Sequence, residues 1–117
     1  MGISYYIGNS GGTAWTLIKT WADGTFPSIT SDNLDTYYIF RVYSGNIEMA
    51  TSADPSDANS WSAFSTVISS VDLGDIGALC NKNVGMYGRI MLSYWKSSVR
   101  KVSYSDNGGG SWTEVSV

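Results

Sequence analysis

Three tryptophans recur in one local frame, and their spacing limits what this chain can fold into more than any other feature. Trp15, Trp61 and Trp112 lie 46 and 51 residues apart. Each is followed at once by Thr16, Ser62 or Thr113, and three positions on by Ile18, Phe64 or Val115. Upstream, Ile3-Ser-Tyr-Tyr6, Ile47-Glu-Met-Ala50 and Val99-Arg-Lys-Val102 begin 12 to 14 residues before their tryptophans, and Tyr43 and Tyr94 hold matching places one strand earlier. The unit is a strand, a turn rich in Gly, Ser and Asn, a Trp and a second strand. Such a period marks stacked units, none of which can bury its apolar face alone. The 117 residues hold about two and a half of them, read as 1–22, 23–71 and 72–117 of one repeat domain.

Between the turns the chain reads as strand. No long stretch keeps apolar residues at i, i+3, i+4 and i+7. Short β-branched and aromatic runs bounded by Gly, Asn, Asp and Ser appear instead. They place strands at 3–8, 16–21, 26–30, 36–43, 46–52, 63–69, 76–81, 88–95, 99–105 and 112–117. Tyr43-Ser-Gly-Asn-Ile47 and Trp95-Lys-Ser-Ser-Val99 read as tight hairpin turns. The class is therefore all-β and antiparallel, and a period of roughly 45 to 50 residues suits the four-stranded blade of a propeller. An incomplete set of blades leaves sheet edges and apolar faces open, so a homo-oligomer, most simply a dimer or trimer, is expected to complete it.

Composition narrows the chemistry. A net charge of −3, from 10 acidic and 7 basic side chains, gives no electrostatic footprint for nucleic acid or anionic membrane. No apolar run approaches the ~18 residues of a membrane span, and Met1-Gly-Ile-Ser-Tyr-Tyr6 lacks the basic region of a secretory signal. Localisation is not fixed by these signals, and association with a virion or a cell surface is compatible with them. The chain has no His, and Cys80 stands alone in Ile76-Gly-Ala-Leu-Cys80, so it reads as a buried inert thiol. Histidine-based zinc sites and Ser-His-Asp triads are excluded outright, and no phosphate loop is present, so no cofactor is expected. Asp32/Asp35, Asp54/Asp57 and Asp72/Asp75 share an Asp-x-x-Asp spacing without the order of a calcium loop. They read as turn caps, and no metal is expected.

At the third turn, Ser105-Asp-Asn-Gly-Gly-Gly-Ser-Trp112 resembles the Asp box, or bacterial neuraminidase repeat, with pattern Ser-x-Asp-x-Gly-x-Thr-Trp. Ser105, Gly109, Ser111 and Trp112 match, and Asn107 stands at the Asp position. Gly8-Asn-Ser-Gly-Gly-Thr-Ala-Trp15 keeps Gly12 and Trp15 and puts Ser10 at that position, while Asp54-Pro-Ser-Asp-Ala-Asn-Ser-Trp61 keeps Ser60 and Trp61. The resemblance implies a sialidase-like β-propeller, in which this turn joins the outer strands of a blade, away from the central pocket. The residue types fit a structural device: a short Asx side chain closes the turn, Gly supplies positive φ, and the Trp fills space between strands.

Sialidases, as the resemblance implies, hold the substrate carboxylate with three arginines and use a Tyr-Glu pair and an Asp. This chain has only Arg41, Arg89 and Arg100, and only Glu48 and Glu114, with no converging set evident. Phe40-Arg-Val-Tyr43 lacks the proline of the family's Phe-Arg-Ile-Pro motif. The reading is a non-catalytic module for recognition or structure, carbohydrate-binding if it takes a ligand. The alternative is a fragment or degenerate relative of a sialidase-type glycoside hydrolase. Tyr37, Tyr43, Tyr87, Tyr94 and Trp95, with Arg41 and Arg89 as carboxylate donors, are the candidate ligand surface, because aromatic rings stack on sugar C–H faces. Alternation puts Tyr37, Ile39, Arg41 and Tyr43 on one face of a strand and Tyr38, Phe40 and Val42 on the other. The plainer reading packs the tyrosines between blades with their hydroxyls at the rim.

Overall fold

Side-chain alternation decides which residues end up between sheets. The computed structural model describes residues 2–115 and contains ten strands: β1 (Ile3–Gly8), β2 (Trp15–Trp21), β3 (Thr25–Ser31), β4 (Tyr37–Tyr43), β5 (Asn46–Ser52), β6 (Ser65–Ile68), β7 (Gly77–Asn81), β8 (Arg89–Lys96), β9 (Val99–Ser105) and β10 (Thr113–Glu114). All pairings are antiparallel between consecutive strands, giving a β1–β2 hairpin and two meanders, β3–β4–β5–β6 and β7–β8–β9–β10. The only helical piece among the described residues is the single 3-10 turn Ala58–Ser60. The sheets close into neither a barrel nor a full ring. The strand expected over 112–117 is shorter, ending at Glu114, and positions 116 and 117 lie outside the described residues.

The β3–β6 sheet is covered on both faces. Tyr38, Phe40 and Val42 of β4 meet Ile90, Leu92 and Tyr94 of β8, with Ile47 and Val71 completing the layer. On the opposite face Ile39 and Ala50 meet Ile3 of the first hairpin, joined by Trp61, Trp21, Tyr5 and Phe64. Phe40, Ile47, Ile90 and Leu92 have no accessible surface, and each such side chain stabilises the fold by about 1.5–3 kcal/mol. Edge-on ring contacts knit both layers, Tyr5 on Trp61 at 5.3 Å and Phe40 on Trp112 at 5.9 Å. Arg41 sits on the buried Ile39 face because its charge is met there. Cross-strand Glu48 accepts from Nε at 2.9 Å and Nη2 at 2.7 Å, and the guanidinium lies 3.9 Å over the Phe64 ring.

The two meanders match most closely at their central hairpins. Tyr43 pairs with Asn46 and Lys96 with Val99, so equivalent positions lie 53 residues apart. Tyr43 therefore corresponds to Lys96, and Tyr94 to Arg41, which corrects the expected match of Tyr43 with Tyr94. The tryptophans Trp61 and Trp112 are only 51 apart, so the middle Trp turn is two residues longer, and the 3-10 turn Ala58–Ser60 lies in that longer loop. Both hairpins turn through two residues with positive φ, Ser44 (52°) and Gly45 (77°) in one, Ser97 (52°) and Ser98 (62°) in the other. This is the type I′ geometry that favours Asn-Gly, and L-serines adopt it at a cost. Asp72 Oδ2 holds the second turn by accepting from the Ser98 N–H at 2.7 Å. The double change Ser97→Asn with Ser98→Gly is expected to stabilise the protein by about 1 kcal/mol, read as a higher urea midpoint at unchanged m-value.

Asp32, buried at the far end of β3, accepts from the Leu34 N–H (2.8 Å), the Thr36 N–H (3.0 Å) and the Tyr38 hydroxyl. Burial first, then the Asp32 bond, pushes the Tyr38 hydroxyl pKa well above its ordinary 10.0, and burial also raises Tyr94 and Tyr5. A raised folded pKa means that the neutral phenol is favoured in the fold. This contribution is complete below about pH 10 and is lost as pH climbs toward the folded values. Melting temperature is expected to decline above pH 10 in thermal scans. Tyr38→Phe flattens that decline and destabilises by about 1–3 kcal/mol at neutral pH, since Asp32 Oδ2 loses its donor.

Candidate functional site

The strands run between two ends, one carrying the tryptophan turns and the other the tight hairpins. In the third Trp turn, Asn107 Oδ1 accepts from the Ser111 N–H at 3.0 Å and the Ser105 hydroxyl at 2.8 Å. Its Nδ2 donates to Ser111 Oγ at 2.9 Å, and Trp112 Nε1 donates to the Gly109 carbonyl at 3.2 Å. Gly109 has φ +87°, which L side chains adopt only under strain, and a Cβ there would lie 2.7 Å from the tip of the Met49 side chain, which would have to shift. The first turn repeats this pattern through Asn9. Its Oδ1 accepts from the Thr13 N–H at 2.9 Å, its Nδ2 donates to Thr13 Oγ1 at 3.0 Å, and Trp15 Nε1 donates to the Gly12 carbonyl at 3.2 Å. Asn9, not Ser10, holds the Asx position, because Ala14 is an additional residue between Thr13 and Trp15.

The middle turn also keeps more than Ser60 and Trp61. Ser52 Oγ accepts from the Asp54 N–H at 3.0 Å, as Ser105 Oγ does from the Asn107 N–H at 3.4 Å. Ser52 and Asp54 thus stand for Ser105 and Asn107, separated from Ser60 by the two additional residues. Here the carbonyl three residues before the Trp, that of Ala58, accepts from Lys19 Nζ at 3.1 Å. Trp61 is buried, and its Nε1 has no hydrogen-bond partner among the described residues. Trp61 and Trp112 pack into the two core layers, whereas Trp15 is 65% exposed and lies over Gly8.

The hairpin end gathers a different set. The link from β6 to β7 crosses both hairpins: the Val71 N–H donates to the Gly45 carbonyl and the Asp72 N–H to the Trp95 carbonyl, each at 2.8 Å. Leu73, 79% exposed, is held between two open depressions. One of about 270 Å³ is lined by Asp23, Thr25, Tyr43 and Ser44, and one of about 340 Å³ by Asp72, Gly74, Trp95 and Ser98. Tyr43 and Trp95 are each about 40% exposed, and each ring has a guanidinium near its face, Arg41 at 4.7 Å and Arg100 at 5.3 Å.

Of the candidate ligand residues, the fold brings Tyr43 and Trp95 to this end. Tyr37 opens β4 and Arg89 opens β8, both at the Trp-turn end, and Tyr87, just before β8, accepts there from the Asn33 N–H at 2.9 Å. Tyr94 lies in the core, its hydroxyl 2.7 Å from Ser103 Oγ. The two arginines offered as carboxylate donors are committed within the fold. Arg41 holds Glu48, and Arg89 forms a two-pronged pair with Asp106 at 2.8 and 2.9 Å while lying 4.1 Å over Tyr104. That pair holds the Asp106 carboxyl below its ordinary pKa and the Arg89 guanidinium above its own. Arg100 pairs with Asp75 at 3.4 Å.

Sequence reasoning missed Leu73 and Asp23, which lie in linkers with no periodicity, and named Asp72 only as a turn cap, the role it fills for the Ser98 N–H. The signal they share is an Asp followed closely by Gly ahead of the first strand of each meander, Asp23-Gly24 and Asp72-Leu-Gly74. Among the described residues no group of three or more Asp, Glu or Cys side chains is placed to hold a metal ion. Cys80 is partly buried, and desolvation raises its thiol pKa. No helix is long and apolar enough to cross a membrane.

The chain is thus an all-β protein of stacked antiparallel sheets with an aromatic, hydroxyl- and carboxylate-bearing hairpin end. Comparison with protein-family models, curated proteins and solved structures gives no match. The turn assignment is tested by two substitutions. Asn9→Ala is expected to cost about 1 kcal/mol in urea unfolding, through loss of its bonds to Thr13 and to the Ala14 N–H, and Ser10→Ala to stay within about 0.5 kcal/mol of the parent.

Proposed function

We propose that this chain is a non-catalytic recognition module of stacked, sialidase-like blades with Asp-box turns, and that it takes a neutral carbohydrate on its hairpin end. One observation carries the reading: Tyr43 and Trp95, on neighbouring sheets, flank Leu73 with exposed rings, and Asp23, Asp72, Ser44 and Ser98 lie beside them. Apolar ring faces suit sugar C–H groups, and carboxylates and hydroxyls suit sugar O–H groups. The pairing of the arginines argues against an acidic sugar. Arg41, Arg89 and Arg100 each already face a carboxylate, so an arginine could take a ligand carboxylate only by breaking an existing pair.

The same pairing weighs against the alternative, a degenerate glycosidase, because Glu48 is bound to Arg41 and Glu114 lies 3.8 Å from Lys101. The blade reading rests on the Asx side-chain bonds that the first and third Trp turns share, on the serine bond that the middle and third share, and on the 53-residue match of the meanders. A homo-oligomer would cover the outer sheet faces. Glycan-array binding followed by calorimetry is expected to find neutral oligosaccharides. Tyr43→Ala and Trp95→Ala should each weaken binding about tenfold or more with little change in melting temperature. Turnover of a fluorogenic sialoside above blank, or binding unaffected by both substitutions, would sink the proposal.

A further inference from the structure

The two faces of the central sheet are covered unequally. The Tyr38, Phe40 and Val42 face lies under a four-stranded sheet and is closed. The Ile39 face lies under only β1 and β2, whose Ile3, Tyr5 and Trp21 reach Ala50, Trp61 and Phe64 on the β5–β6 side. The β3 side is left open. Ile29, which pairs with Ile39, is 44% exposed. Between β1 and β3 runs an apolar cleft of about 180 Å³, lined by Ile3, Ser4, Tyr5, Trp21, Ile29 and Ile39 among others. Ile3, Ser4 and Tyr5 are consecutive, and successive side chains point to opposite faces, so a cleft touching all three meets β1 along its edge. Among the described residues that edge carries no strand, because β1 pairs with β2 alone. A free edge presents a row of backbone donors and acceptors.

The internal repeat supplies the shape of the occupant. Strand β5 holds before the second Trp turn the place that β1 holds before the first, and on the corresponding edge β5 carries β4. There Tyr38, Phe40 and Val42 drop into the layer over Ile90 and Leu92, and Leu92 is the counterpart of Ile39 in the 53-residue match. We infer that the free β1 edge is a docking site for an extended peptide segment with bulky apolar side chains at alternate positions. The segment adds antiparallel to β1, its backbone satisfies the open edge, and its alternate side chains enter the cleft over Ile29 and Ile39. This site is separate from the hairpin end and stands whether or not a sugar binds there.

The probe is a synthetic peptide with the chain's own Thr36–Tyr43 sequence, Thr-Tyr-Tyr-Ile-Phe-Arg-Val-Tyr, carrying terminal lysines for solubility. It is titrated into the isotope-labelled full chain and followed by amide shifts. Saturable shifts are expected at Ile3, Ser4, Tyr5, Ile29 and Ile39, and a peptide with Lys in place of its Phe should lose them. Ile29→Lys, at a half-exposed position, is expected to keep its melting temperature and weaken binding about tenfold or more. Pro27→Lys, in the same cleft, serves if Ile29→Lys does not fold. The inference is overturned by absence of saturable shifts at about 1 mM peptide, by shifts confined to the hairpin end, or by unchanged binding in the folded cleft variants. Concentration-dependent shifts at the same residues without peptide would also overturn it, since a second copy would then be the occupant.

Discussion

Burial of β4 on both faces is the constraint from which the rest of the structure follows. A strand covered on one side can alternate apolar with polar residues, but Tyr38, Ile39, Phe40 and Val42 must all be apolar because sheets press on both sides. The one charge in that run, Arg41, survives through its cross-strand Glu48 partner and the Phe64 ring beneath it. Removing a single partner from such a pair leaves a partly buried charge uncompensated, which is costlier than never having had the pair. The stack is held by apolar layers, and the scarce charges are largely spent on fixing one strand against its neighbour.

Much of this was legible in the residues. Strand positions emerged from alternation and from Gly, Asn and Ser punctuation, and the division into a hairpin and two meanders follows from the tryptophan frame. What escaped did so for physical reasons. Asn9 was hidden because Ala14 displaces Trp15 by one residue, and a turn is defined by hydrogen bonds rather than by distance from its tryptophan. Ser52 and Asp54 were hidden by two residues that the longer middle turn accommodates. Tyr94 looked like a surface tyrosine because a phenol satisfied by Ser103 inside the core has the same sequence signature as one satisfied by water.

The candidate site was half visible. Tyr43 and Trp95 could be named from the sequence, yet what makes that end distinctive is Leu73, held out between them by backbone bonds to two separate hairpins. No periodicity encodes that arrangement, since it arises where a linker crosses strand ends. The arginines show the opposite error. As residue types they suggest anion recognition, but each is already matched to a carboxylate of the chain, and a matched guanidinium offers little to a ligand.

The unequal lengths of the tryptophan turns bear on how such a chain avoids misassembly. Near-identical units invite a strand of one to zip onto its counterpart in another, the error to which repetitive β chains are most exposed. Here the stretch from the end of β5 to Trp61 is two residues longer than that from the end of β9 to Trp112, and the first turn carries an inserted Ala14. A strand exchanged between units would meet its partner out of step, and a slip of one residue turns every apolar side chain to the wrong face. The irregularities that blur the repeat act as keys, favouring for each strand the pairing that turns its apolar side chains toward the core.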